Sequence, residues 1–322
     1  MILYWITLLI TIPIAITLIV PETEYLLLFQ YFILFLPRYW YILLCLLLII
    51  FFKKLTKIQR YSLPFLLLVS FFYLDIQVNF GQNNLNQNHD APFTMVTANL
   101  GEGVEMASIK ALVKFYNPDI LLFQEAGHLT NIEALSNYPF KDCKGNLCFI
   151  SKYEFTNEVH LENSMFNGYG YWAAFYEVTL KNTKIHFANI HLPSIRRVFN
   201  NFSNVKDIHE NRAIAAGILK EWASSKKNMI IAGDFNMSVI DTLYKQNFST
   251  YINAVSSIGH GFNNTVDYKY RGFSVPGIRV DHILSSQQFS LKKAIVLETL
   301  GGDHYPVLSK LSLNSLNSNE KH

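Results

Sequence analysis

The stretch MIIAGDFNMS (229–238) decides how the chain is read. Met229 to Ala232 form a short apolar run of the length of a buried strand. Asp234 and Asn236 follow two apart, on one side of an extended segment. Apolar strands that end in acidic, amide or imidazole groups are how α/β sheets expose functional side chains. The pattern recurs outward in both directions. TANLGEG (97–103) puts Asn99 at a strand end, PDILLFQEAG (118–127) brings Glu125 out of a buried strand, and ANIHLP (188–193) ends in His191. RVDHILSS (279–286) carries Asp281, and GGDHYPV (301–307) carries Asp303 and His304.

Helices alternate with these strands. Val104 to Tyr116 has helical spacing, with Met106, Ile109, Leu112 and Val113 on one face, and Asn117-Pro118 ends it. Glu210 to Ser224 is a second helix, built on Ile214, Ile218, Leu219 and Trp222. Tyr171 to Ile190 reads as a hairpin across Lys181-Asn182, which argues for an α/β fold with a mixed sheet. Cys143 and Cys148 flank a turn-rich Lys-Gly-Asn-Leu, so the two sulfurs can face each other as a disulfide across a hairpin; two free thiols are the alternative.

The first eighty residues are of another kind. Half of the 322 residues are apolar and only 16% are charged, against roughly 25% charged in ordinary soluble chains. The excess is concentrated in residues 2–20, 31–52 and 61–78, read as three membrane spans forming an anchor over 1–78. Acidic PETEY (21–25) separates the first two, and Lys53, Lys54, Lys57 and Arg60 separate the last two. The positive-inside rule places that basic loop in the cytoplasm and everything after residue 80 on the extracytoplasmic side. The expectation is therefore a multi-pass protein of the cytoplasmic membrane, with the lipid bilayer as a partner. Residues 79–92 are a polar linker, 93–313 the functional domain and 314–322 a polar tail.

Several classes are excluded. Three cysteines cannot make a disulfide-dense scaffold or a four-cysteine zinc site. Beyond Val78 there are 22 basic and 21 acidic residues, too balanced for strong capture of a polyanion. No H-E-x-x-H, P-loop, G-x-G-x-x-G or G-x-S-x-G motif occurs.

Taken in order, the segments around Asn99, Glu125, His191, Asp234, Asp281 and His304 resemble the endonuclease/exonuclease/phosphatase superfamily, which includes pancreatic-type deoxyribonucleases, abasic-site endonucleases, neutral sphingomyelinases and inositol polyphosphate 5-phosphatases. A three-span anchor before such a domain is similar to a membrane-bound bacterial subgroup. The resemblance implies a four-layered α/β sandwich, two mixed sheets face to face with helices outside. It implies a phosphoesterase acting on a nucleic acid or a phospholipid headgroup, with Mg²⁺ or Mn²⁺ as cofactor. Retention of Glu125 and His304 argues against a catalytically silent binding module.

Hydrolysis of a phosphoester needs a cation on a phosphate oxygen, a base for water and donors for developing charge. On this resemblance Glu125 and Asn99 hold the metal, hard oxygen ligands suiting Mg²⁺. His304 with Asp303 is an acid/base dyad, and Asp281 is the carboxylate that pairs with the histidine. Asp234 and Asn236 face the water and the scissile phosphate, and either Asp234 or His304 takes the proton. His191 donates to a non-bridging oxygen, while Arg279 and Arg196 reach substrate. His282, next to Asp281, points to the opposite face and is structural, as are His128, His160, His186 and His209.

Overall fold

Two six-stranded sheets face each other across an apolar seam, and both place their functional side chains at one end. The structure is a computed structural model and describes residues 2–20, 25–79, 92–101, 103–128, 135–270 and 272–314. In chain order the elements are α1 (Ile2–Ile19), α2 (Leu27–Phe35), α3 (Tyr39–Ile50), α4 (Lys57–Leu74), β1 (Ile76–Gln77), β2 (Phe93–Asn99), α5 (Met106–Tyr116), β3 (Ile120–Gln124), β4 (Phe140–Lys144), β5 (Leu147–Ser151), β6 (Phe155–Glu162), β7 (Tyr171–Leu180) and β8 (Thr183–His191). There follow α6 (Arg196–Asn200), α7 (Val205–Ser224), β9 (Met229–Asp234), α8 (Thr242–Phe248), β10 (Ile252–Asn253), α9 (Ala254–Ile258), β11 (Gly261–Phe262), β12 (Asp267–Tyr270), β13 (Phe273–Pro276), β14 (Asp281–Ser285), β15 (Phe289–Val296) and β16 (Val307–Leu313).

One sheet runs β10-β14-β9-β8-β7-β6 and the other β15-β16-β2-β3-β5-β4. Each is mixed: β8 and β9 are parallel, as are β2 and β3, while their other neighbours run antiparallel. The expected hairpin joins β7 to β8, with Lys181 and Asn182 both at positive φ, the mirror-image turn that suits strand twist.

The central strands are apolar on both faces because both faces are covered. In β8, Ile185 and Phe187 enter the layer between the sheets, while Ala188 and Ile190 pack outward under α7. In β9, Ile230 and Ala232 face the other sheet and Met229 and Ile231 face outward. On the second sheet, Met95, Ile120 and Leu122 face inward, and Val96, Ala98, Leu121 and Phe123 pack with Ile109 and Leu112 of α5. The layers are thus helix, sheet, sheet, helix. Cys143 and Cys148 are register partners on β4 and β5 and form a disulfide.

The amino-terminal region departs from the expectation of three long spans. Among the described residues one helix, α1, is long and apolar enough to cross a membrane. The span expected at 31–52 is broken into α2 and α3, which meet at an angle of 73°. Pro37 is the cause: it drives Leu36 into an extended conformation (φ −67°, ψ 149°), and helix α2 stops there. The third expected span, 61–78, begins earlier and ends at Leu74, where Asp75 turns left-handed and Ile76–Gln77 pair with β11. Most of the acidic 21–25 loop, the 79–92 linker and the 314–322 tail lies outside the described residues.

Candidate active site at the paired strand ends

Strand parity explains which side chains meet. Asn99 shares the inward parity of Phe93 and Met95, His191 that of Ile185 and Phe187, Asp234 that of Ile230 and Ala232, and Asp281 that of Ile283. All four therefore project between the sheets where the strands end, and register pairs Asp234 with both His191 and Asp281.

The Asn99 amide nitrogen donates to Glu125 Oε1 and to Asp234 Oδ2, each at 3.1 Å, joining the two sheets at the cleft floor. His191 Nε2 lies 3.6 Å from those same two oxygens. His304 Nε2 lies 3.9 Å from Asp234 Oδ2, and its Nδ1 lies 2.9 Å from Asp281 Oδ2. Glu125 sits just past β3 at φ 53°, a conformation unusual for a side chain of its size, which turns the carboxylate back into the cleft. Asn236 is also left-handed (φ 48°); its backbone N–H donates to Asp234 Oδ1 at 2.7 Å and its side chain to the Leu192 carbonyl at 2.9 Å. Gly233, just before Asp234, is required where β9 passes β8: a Cβ there would fall 2.0 Å from the Ile190 carbonyl oxygen.

Electrostatics divide the roles. Burial opposes charge on His304, but the Asp281 carboxylate, reinforced by Asp234 and Asp303, outweighs it and lifts the ring to about 10. Burial raises the Asp281 carboxyl against the pull of His304. The carboxylates therefore favour the charged form of the ring, whose Nε2, the nitrogen not bonded to Asp281, faces Asp234 as a donor.

Two expected site residues behave differently. Asp303 does not hold the His304 ring; its Oδ2 pairs with Arg196 Nη2 at 3.0 Å, and this partly exposed pair spans the rim of the cleft. Arg279 is not at the cleft. Its guanidinium is buried against Asp75 at 2.6 Å, Ser256 and Asn253, because residues 278–280 precede β14 and do not follow its alternation. His282, as its parity requires, faces away; its Nε2–H donates to the Met237 carbonyl and its Nδ1 accepts from the Asn253 amide.

A buried polar layer beneath the cleft went unread in the sequence. Gln124 donates to Asn189 Oδ1 at 2.6 Å across the seam between the sheets and exchanges hydrogen bonds with Thr97. Asn189 donates to the Phe123 and Cys148 carbonyls. The signal was available: single amides in the apolar runs ILLFQ and FANIH need partners when buried. Thr265, whose hydroxyl oxygen takes the Val280 and Asp281 N–H groups, carried no such signal.

The donor set tests whether a cation fits. Glu125 and Asp234 offer hard carboxylate oxygens on either side of the Asn99 amide nitrogen, which orients both, while the Asn99 oxygen accepts the Gly101 N–H; hard oxygens of this kind are the chemistry of a Mg²⁺ or Mn²⁺ site. Asp234, Asp281 and His304 also have ligand atoms within 4.8 Å, but there the imidazole is committed to Asp281. A third group, Glu158, Glu177 and His186, is already charge-balanced by Lys226 and Lys184.

Comparison with known proteins agrees with this fold. No curated protein matches the chain. Among solved structures, TDP2 of D. rerio complexed with a single-strand DNA product superposes with a TM-score of 0.55 at 14% identity, covering 69% of this chain and 99% of that one. A Bacteroides thetaiotaomicron endonuclease/exonuclease/phosphatase family protein gives 0.50 at 17% identity, over 69% and 98%. The Neisseria 3′ phosphatase NExo bound to a product DNA hairpin gives 0.52 at 14% identity, over 67% and 98%. The sequence profile of the Endonuclease/Exonuclease/phosphatase family matches residues 96–304, more than half of the chain and every strand end that feeds the cleft, and the chain belongs to that family.

Proposed function

We propose that this chain is a membrane-anchored, divalent-metal-dependent phosphoesterase that hydrolyses its substrate by in-line attack of water. The observation that carries the reading is the convergence of Asn99, Glu125, His191, Asp234 and His304 in one cleft, with the Asp234 carboxylate within 3.9 Å of Asn99, His191 and His304, and Glu125 within 3.6 Å of Asn99 and His191. Glu125 would hold Mg²⁺ or Mn²⁺, with Asn99 orienting its carboxylate, and the cation when bound neutralises charge on a phosphate oxygen. Asp234, oriented by the Asn236 N–H, accepts the proton of the attacking water. His304, held charged by Asp281, donates toward the phosphate oxygens that gain charge, and His191 supplies a second donor. Asn236 and Arg196 contact the substrate beside them.

Helix α1 supports the anchor: at about 1.5 Å per residue it is roughly 27 Å long, close to the thickness of a hydrocarbon core, and α4, equally long but less apolar, packs beside it. They lie side by side with α3 through Tyr4–Ser62, Thr11–Tyr41 and Cys45–Ser70. The Tyr4–Ser62 contact puts the start of α1 at the same end as Lys53, Lys54, Lys57 and Arg60, the cytoplasmic end by the positive-inside rule. The family domain sits at the other end, on the extracytoplasmic side, where the Cys143–Cys148 disulfide is at home.

Two substrate classes remain within this reading. The near-neutral domain and the exposed Phe199 and Phe202, both packed on Phe32 of α2, favour a phospholipid headgroup. The DNA products bound to TDP2 and NExo favour a nucleic acid. Purified full-length protein should hydrolyse a generic aryl phosphodiester only with a divalent cation; no turnover with Mg²⁺ or Mn²⁺ overturns the reading. Plasmid DNA, abasic DNA, RNA, sphingomyelin and phosphoinositide vesicles then separate the classes.

A further inference from the structure

Asn236 is left-handed (φ 48°), a conformation that asparagine adopts more readily than other residues with a Cβ. Three hydrogen bonds hold it in place. Asp234 takes its N–H and the Leu192 carbonyl takes its side chain, both within the two strands that make the cleft. The third comes from outside them: Arg212 Nη2 of α7 donates to the Asn236 carbonyl at 2.9 Å and to Asp241 Oδ2 at 2.7 Å.

That guanidinium is buried, and one side of its enclosure is not part of the family domain. Tyr31 and Phe35 of α2 lay their rings over it, with centroids 4.9 and 5.7 Å away. Tyr31 is fully buried and its hydroxyl meets His209 Nδ1 at 2.9 Å, one turn before Arg212 on α7. The same face of the amino-terminal region reaches the loop again at Arg38, whose Nη2 donates to Ser238 Oγ at 2.8 Å, and reaches the start of β14 through the Asp75–Arg279 pair. Aromatic faces stabilise a desolvated guanidinium and keep water from competing for its hydrogen bonds. Without them Arg212 gains water and rotamers, and the Asn236 carbonyl loses its fixed donor.

We propose that Arg212 is a positioning residue for Asn236 and that α2, by closing Tyr31 and Phe35 over it, sets the conformation of the 234–238 loop. The amino-terminal helices are then a working part of the site as well as a tether. The catalytic leg of this inference rests on the phosphoesterase reading; the structural leg does not.

The test uses full-length protein in detergent, with hydrogen exchange of the 234–241 segment and steady-state hydrolysis of a generic phosphodiester. Tyr31→Leu should speed exchange there about tenfold and lower kcat about tenfold, with KM within about twofold. Tyr31→Phe, which keeps the ring and loses the His209 bond, should match wild type in both. The double variant Tyr31→Leu/Asn236→Ala should fall no lower in kcat than Asn236→Ala alone, because the two act through one residue. Phe35→Leu repeats the exchange measurement if Tyr31→Leu does not fold. Unchanged exchange in the leucine variants, or additive losses in the double variant, overturns the proposal. Faster loop exchange in a protein that hydrolyses no phosphodiester supports it while removing the phosphoesterase reading.

Discussion

The His304 imidazole joins two carboxylates that are register partners on neighbouring strands: Nδ1 is 2.9 Å from Asp281 Oδ2 and Nε2 is 3.9 Å from Asp234 Oδ2. One carboxylate fixes the ring and its charge, and the other shares the cleft with it.

Asp281→Asn removes the carboxylate that chiefly lifts the ring to about 10. A ring that acts protonated loses activity as pH rises through its pKa, so the alkaline limb of kcat/KM should move to lower pH. The kcat should fall by roughly 10²-fold or more, the scale of one proton-transfer group, and His304→Ala should fall at least as far. A pH–rate profile of both variants checks this; an unmoved alkaline limb in Asp281→Asn contradicts it.

Glu125→Ala should lose at least ~10²-fold in activity, as expected for a main electrostatic contributor, and should bind Mn²⁺ more weakly by calorimetry. A chelator should abolish wild-type turnover and added Mg²⁺ restore it. Equal rates with and without chelator would remove the metal from the mechanism.

Gly233→Ala places a methyl group 2.0 Å from the Ile190 carbonyl oxygen at a φ of 145°. The parallel pair β8–β9 cannot separate without breaking its ladder, so the variant should lose at least ~3 kcal/mol of stability. Thermal melts in detergent measure it. A variant within a degree or two of wild type would show that the strands have room to part.

His282 is buried, and burial, followed by the Arg279 charge, pushes its ring down to about 3. A depressed folded pKa makes stability present above the ordinary value near 6.5 and lost as pH falls toward 3. His282→Gln cannot take up that proton. The wild type should therefore lose stability relative to the variant by up to about 1.4 kcal/mol per pH unit across that window. Melting curves at pH 7, 5 and 4 test it, and a constant difference would count against a neutral buried ring.

The Asn99, His191, Asp234 and Asp281 positions were legible because each ends or begins an apolar strand, and alternation along a strand is a local property; Glu125, just past β3, and His304, ahead of β16, were legible from their motifs alone. The same rule placed His282 on the outer face, where it lies. The hairpin at Lys181-Asn182 was legible because turn chemistry is also local. Strands β6, β10 and β15 leave no strand pattern in the sequence, because charged or polar residues interrupt them and their partners, not their composition, hold them in place.

By itself the amino-acid sequence determined the alternation of strands and helices, the family, the apolar amino-terminal region and the strand ends that carry chemistry, since each depends on residues near one another along the chain. Only the tertiary structure decided that Asp303 pairs with Arg196, that Arg279 turns away to Asp75, that Pro37 bends the second apolar block, and that Arg212 lies between Tyr31 and the Asn236 carbonyl. For the long side chains the reason is reach: an arginine or aspartate chooses among partners that packing brings within a few ångströms, and sequence spacing carries no record of which of those partners arrives.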